Sequence, residues 1–198
     1  FMCTPDIYGD HVGAFAELHI TYADGESEVI CTDESWGVRT GEIRYSEIYM
    51  GETIDTDSPQ IREGKVSIKD FDKSILTAQE NEPVRITERI PAKELIVTPK
   101  GERLVDFGQN ITGLAEIRIK GQKGQKITVR HAEVLDKDGN FYPETLRQAK
   151  SIDTYICNGE EQVFLPHFTF HGFRYICVEG IDEMKPEMFT ACVMHSDM

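Results

Sequence analysis

No run of apolar residues in this chain approaches the roughly 18 needed to cross a bilayer as a helix, and no signal-peptide pattern opens it. A membrane is therefore not an expected partner. The first residue is Phe1 rather than Met, so the missing leader says nothing about compartment. Several chemistries lack their local signatures as well. There is no Gly-rich phosphate loop, no Gly-x-Ser-x-Gly elbow and no His-Glu-x-x-His pair. Nor is there a CxxC pair: Cys3, Cys31, Cys157, Cys177 and Cys192 are odd in number and widely spaced, which argues against a zinc knuckle or a dithiol redox motif. Read as free thiols packed as small hydrophobes, they favour the cytoplasm in a compartment assignment that otherwise stays open. Basic residues are scarce, 21 against 35 acidic ones, for a net charge of −14. Such a surface repels phosphate backbones, so nucleic acid is not expected as a partner.

Helix signals are almost missing too. Only Asp70–Leu76 and Glu144–Ala149 (behind Pro143) could form short turns. What the chain does have is alternation of polar and apolar residues, the period of half-buried strands. Glu17–Tyr22 alternates, Ala23-Asp24-Gly25-Glu26 supplies the positive-φ position of a tight hairpin, and Glu28–Cys31 returns. Ala115–Lys120 is the cleanest alternation, with Ala115, Ile117 and Ile119 inward, a turn at Gly121–Gly124 and a return at Ile127–His131. Further strands are expected at Thr154–Cys157, Gln162–Leu165 and Phe173–Val178, with Val129, Tyr155, Phe173 and Ile176 in the core. Many short strands with Gly and Asp turns define an all-β, antiparallel β-sandwich. Pro83, Pro91 and Pro99 recur where a central strand would need its N–H groups. A boundary is therefore placed near residue 80, giving regions 1–79 and 80–198.

Five residues invite a functional reading: Glu133, Arg147, Asp153, His171 and Arg174. Ile127, Val129, His131 and Glu133 share one strand face, so Glu133 would approach the core and need a partner. Arg147 or Arg174, as bidentate forks, are expected to pair with Asp153 or Glu133. The cluster is either a polar pocket for a sugar or a structural ion-pair network, the latter favoured. Trp36, the only tryptophan, is either a stacking face for a pyranose or a core anchor. Asp136-Lys-Asp138-Gly139-Asn140 has carboxylate spacing that suggests calcium, but Gly comes too early and Arg147 stands where an EF-hand has Glu. A polar Asp-Gly turn is the better account. No cofactor is expected, although a calcium site built from scattered groups would leave no motif. No pair among the 35 acids can be singled out as a glycosidase's acid and base.

Certain motifs in their order carry more than any one alone. Val105-Asp106-Phe107-Gly108-Gln109-Asn110 is followed by His131-Ala132-Glu133, Leu146-Arg147, Asp153-Thr154-Tyr155 and Pro166-x-Phe168-x-Phe170-His171-Gly172-Phe173-Arg174-Tyr175. Together they resemble the β-domains ahead of the catalytic barrel in bacterial α-L-rhamnosidases. The earlier stretch Ile48-Tyr49-x-Gly51-Glu52-x-x-Asp55 resembles the closing part of the preceding, jelly-roll-like domain. The resemblance implies a partial sandwich followed by a complete one, with the sequence ending at His195-Ser196-Asp197, where the linker to an (α/α)6 barrel would begin. The family cleaves terminal α-L-rhamnose with inversion, using two barrel glutamates. Nothing like their Asp-Cys-Pro-Gln-Arg-Glu context occurs here, so no catalytic residue is carried over. The expected role is a non-catalytic β-sandwich supporting that barrel. The alternative is an autonomous carbohydrate-binding module for rhamnose-containing sugars.

Overall fold

The computed structural model describes residues 13–197. In chain order its strands are β1 (Glu17–Thr21), β2 (Ser27–Cys31), β3 (Gly37–Arg39), β4 (Ile43–Glu47), β5 (Gly51–Asp55), β6 (Glu63–Lys65), β7 (Val84–Pro91) and β8 (Glu94–Val97). There follow β9 (Arg103–Lys120), β10 (Lys126–Ala132), β11 (Val134–Leu135), β12 (Phe141–Tyr142), β13 (Ile152–Ile156), β14 (Glu161–Phe164), β15 (His171–Glu179) and β16 (Phe189–Ser196). Three single-turn 3-10 segments are the only helical elements among the described residues, and two of them fall in the expected stretches, Lys73–Ile75 and Glu144–Leu146. The all-β expectation holds.

The described chain divides into two compact units, residues 13–40 with Arg62–Ala78, and Gly41–Ile61 with residues 79–197. In the first, β1 and β2 form the hairpin read from the alternation, with Gly25 at φ 91° in its turn, and β3 pairs with β6. The large apolar side chains on these strands, Leu18, Val29, Ile30 and Val38 among them, are exposed.

The second unit holds a ten-stranded sheet along the path β4-β5-β13-β10-β15-β9-β16-β7, with β8 and β14 also pairing β9. Every pair is antiparallel except β5 with β13. Its spine is β9, far longer than the six-residue alternation suggested. Asp106 pairs with Tyr175 and Ile111 with Phe173, so the four residues Phe107–Asn110 bulge out where β15 advances by two. Gly108, at φ 84°, sits in that bulge. A bulge of this kind bends a strand and increases its twist. The first part of β9 can thus pair with β8, and its second part with β16 and β14, where Ile117 opposes both Phe164 and Phe189. The main cluster includes Ile117, Ile119, Ile127, Val129, Tyr155, Phe173 and Ile176, all buried. Strand β7, whose last residue is Pro91, ends the sheet path, where a missing donor is tolerated.

The contacts group the chain differently from a division near residue 80. Residues 41–61, read with the first region, belong to the second unit. There β4 and β5 extend the large sheet, Ile54 enters its core, and Gly51 stands so close that a Cβ would lie 2.0 Å from the Ile152 carbonyl oxygen. Nothing local betrays this, because β13, the strand that joins β5 to the rest of the sheet, lies about a hundred residues away. The cysteine reading holds for Cys157, Cys177 and Cys192, free and buried, whose thiols burial pushes up. Cys31 is free but exposed, and Cys3 lies outside the described residues.

The membership of β5 is testable by cavity cost. Ile54→Ala is expected to destabilise the chain by roughly 2 to 5 kcal/mol, whereas exposed Leu18→Ala changes it by less than about 0.5 kcal/mol. Urea titration measures both, and equal small effects would place residues 41–61 outside the core.

Candidate functional site

The polar residues that meet in the second unit do so around Asp153 on β13. Val129 of β10 is its register partner, and the adjoining parallel strand β5 brings Glu52 alongside. Asp153 is fully buried. Its Oδ1 accepts the Glu52 N–H at 2.9 Å, and both its oxygens lie against His171 Nε2, at 3.3 and 3.2 Å. His131 stacks on His171 with ring centroids 4.1 Å apart, lies at 68° to the Phe173 ring, and has its Nε2 3.8 Å from Asp153 Oδ2. Ser151 adopts φ 48°, a left-handed conformation rare outside glycine. Its carbonyl receives both the His131 backbone N–H at 3.2 Å and the ring nitrogen Nδ1 at 2.9 Å.

Electrostatics follow from burial. Desolvation, reinforced by the neighbouring His171, pulls the His131 pKa down to about 3 against the opposing pull of Asp153, so the ring is neutral at pH 7. Burial raises the Tyr155 hydroxyl well above its ordinary value, helped by the Asp153 and Glu52 charges. Glu52 is itself fully buried, its two oxygens accepting the N–H groups of His167 and Phe168 at 2.9 and 3.0 Å.

The expected arginine partners are elsewhere. Arg174 pairs with Asp106, Nε to Oδ1 and Nη2 to Oδ2, each at 2.9 Å, and not with Asp153 or Glu133. The β9 bulge causes this by bringing Asp106 opposite the irregularity between Phe173 and Tyr175. Burial works to raise the Asp106 carboxyl, but the Arg174 fork and the Gly108 N–H outweigh it and hold the carboxyl below the usual range. Arg147 is exposed at the end of a 3-10 turn, with φ 58°. Glu133 is half-buried just past β10 and accepts from Asn110 Nδ2 at 3.3 Å. Trp36 belongs to the first unit and is 47% exposed, in a turn stitched by Asp33. Of the residues singled out, only Asp153 and His171 come together. His131 and Glu52 complete their surroundings. His131 was visible on the same strand face as Glu133, while Glu52 stood in a quoted motif with no hint of its burial. At the Asp136 turn, Oδ1 accepts the N–H groups of Asp138 and Asn140, as an Asp-Gly turn requires.

Each buried carboxylate is thus held by donors of the protein itself, and the cluster as built locks strands together. The class so defined is a two-unit all-β protein with a polar anchor in its larger unit. Residues 96–195 match the bacterial alpha-L-rhamnosidase concanavalin-like domain, and residues 2–88 the alpha-L-rhamnosidase N-terminal domain. The chain belongs to the bacterial α-L-rhamnosidase family. An alpha-L-rhamnosidase of Streptomyces avermitilis is 35% identical over 98% of this chain, which covers 20% of that protein; one from an Alteromonas species is 32% identical over 92%, covering 22%. Among solved structures, the Streptomyces avermitilis enzyme complexed with L-rhamnose superposes with a TM-score of 0.82 at 35% identity, over 92% of this chain and 19% of that one. The Aspergillus terreus enzyme gives 0.85 at 37%, over 96% and 24%. The chain spans about a fifth of the length of these relatives.

Two outcomes are expected here. Arg174→Ala strands the buried Asp106 charge and should cost roughly 3 kcal/mol, the low end for a broken buried pair because the Arg174 side chain is 35% exposed; an unchanged denaturant midpoint would contradict the pairing. His131 stays neutral in the fold down to about pH 3 while the unfolded chain takes up its proton below about 6.5. Stability should therefore fall as pH drops through that window, by about 1.4 kcal/mol per unit from this group alone. Midpoints between pH 7 and 4.5 should fall less steeply in His131→Phe than in the parent.

Proposed function

We propose that this chain is a non-catalytic β-module of an α-L-rhamnosidase acting on terminal α-L-rhamnose, and that it supports the catalytic barrel of the same polypeptide. The observation that carries the reading is coverage: one region matches the rhamnosidase N-terminal domain and the other its concanavalin-like domain, while about four fifths of each relative lies beyond the match. The state of the acids supports it. An inverting glycosidase needs two carboxyls roughly 6.5 to 9.5 Å apart with room for sugar and water between them, whereas Asp106, Asp153 and Glu52 are buried and engaged by structural donors. A supporting role is also favoured by exposed Ile48, Tyr49, Phe168 and Phe170. These lie on two loops that the Thr169 hydroxyl joins by donating to the Ile48 carbonyl at 3.1 Å, and apolar surface of that kind marks contact sites.

A binding-module reading keeps one observation in its favour, the exposed indole of Trp36. The two readings part in one experiment. The isolated chain should show no turnover of an aryl α-L-rhamnoside above a buffer blank and no saturable heat on titration with L-rhamnose, with or without calcium. Turnover that survives purification overturns the non-catalytic reading, and saturable binding without turnover favours the binding module.

A further inference from the structure

We infer that His131, Asp153 and His171 form a buried three-ligand site for one late first-row divalent cation, zinc being the ion the donor set suits best. The argument starts from a hydrogen atom. The Ser151 carbonyl can only accept, so at 2.9 Å the His131 Nδ1 must carry the proton. A neutral imidazole has only one, so Nε2 presents a bare lone pair. That lone pair is buried, has no hydrogen-bond partner, and lies 3.8 Å from a carboxylate oxygen, another acceptor. Two acceptors facing each other in a dry interior repel unless something positive stands between them.

The surroundings ask for the same thing. Asp153 and Glu52 are fully buried carboxylates on paired strands, and among the described residues no Lys or Arg forms an ion pair with either. Their side-chain partners are histidines. One ligand atom from each of His131, Asp153 and His171 falls within 4.8 Å of the others. Two of the three ligand–ligand edges, Asp153 Oδ2 to His171 Nε2 and to His131 Nε2 at 3.2 and 3.8 Å, bracket the roughly 3.3 Å edge of a tetrahedron with 2.0 Å metal–ligand bonds. Two imidazoles and one carboxylate suit zinc and its neighbours, whereas calcium would want six to eight oxygens. The second layer that orients metal ligands is also present: Ser151 C=O on the far nitrogen of His131, and Glu52 N–H on the carboxylate. To ligate through the Nε2 that faces Asp153, His171 must carry its proton on the buried, unpartnered Nδ1.

The test uses the whole chain, stripped with chelator, incubated with zinc chloride and desalted. Metal analysis should find one equivalent of zinc, and cobalt(II) should give visible d–d absorption. The thermal midpoint should rise by about 5 °C or more with zinc at a hundredfold excess over Kd, and not with magnesium or calcium. His131→Gln and Asp153→Asn should each lose the equivalent. Should these variants fail to fold, the triple variant His19→Ala/His167→Ala/His195→Ala, altered only at exposed histidines, should retain it in full. Less than a tenth of an equivalent in the parent, equal retention by His131→Gln, or loss in the triple variant would each overturn the site.

Discussion

A buried carboxylate must be satisfied from all sides, and Asp153 imposes that demand on most of the larger unit. Through it β13 is tied to β5 by the Glu52 N–H and to β15 by His171, while His131 of β10 stacks over the same spot. Four strands from distant parts of the sequence thus converge on one side chain. Leaving such a charge unpaired in the interior costs several kcal/mol, so any arrangement that loses one of these strands is penalised beyond its lost apolar contacts. The left-handed Ser151 and the close-packed Gly51 belong to this constraint: one aims a carbonyl at His131, and the other lets β5 approach the Ile152 backbone.

Apolar packing supplies the bulk of the stability and β9 distributes it. Because the strand bends at Phe107–Asn110, one element serves both ends of the core: Val105 beside Ile176 on one side of the bulge, Ile117 between Phe164 and Phe189 on the other. The bulge also sets the position of Asp106, whose Arg174 fork clamps the bend. Two motifs that stand far apart in the chain, Val105–Asn110 and Phe170–Tyr175, are therefore two sides of a single corner.

The all-β class, the β1–β2 and β9–β10 alternations and the inward sides of Ile117, Val129, Tyr155 and Phe173 were legible because a two-residue period is a local property. Pairing across long separations was not. Arg174 was expected to reach Asp153 or Glu133 because charge and proximity in the chain were all the sequence offered, whereas its true partner depends on a four-residue bulge in β9. Residues 41–61 were read with the first region for the same reason: parallel pairing of β5 with β13 leaves no turn signal to announce it. Of the residues the sequence singles out, Asp153 and His171 meet in the fold, while Arg147 and Trp36 lie exposed.

The central claim is that residues 41–61 fold as part of the larger unit, anchored at Asp153. Native-state amide hydrogen exchange tests it directly, since amides of one cooperative unit open together. The Glu52 and Ile54 amides should exchange with the same free energy, and the same denaturant dependence, as those of Val129 and Ile176. Exchange of Glu52 and Ile54 at the rate of the β1–β2 hairpin, while Val129 and Ile176 stay protected, would contradict the account.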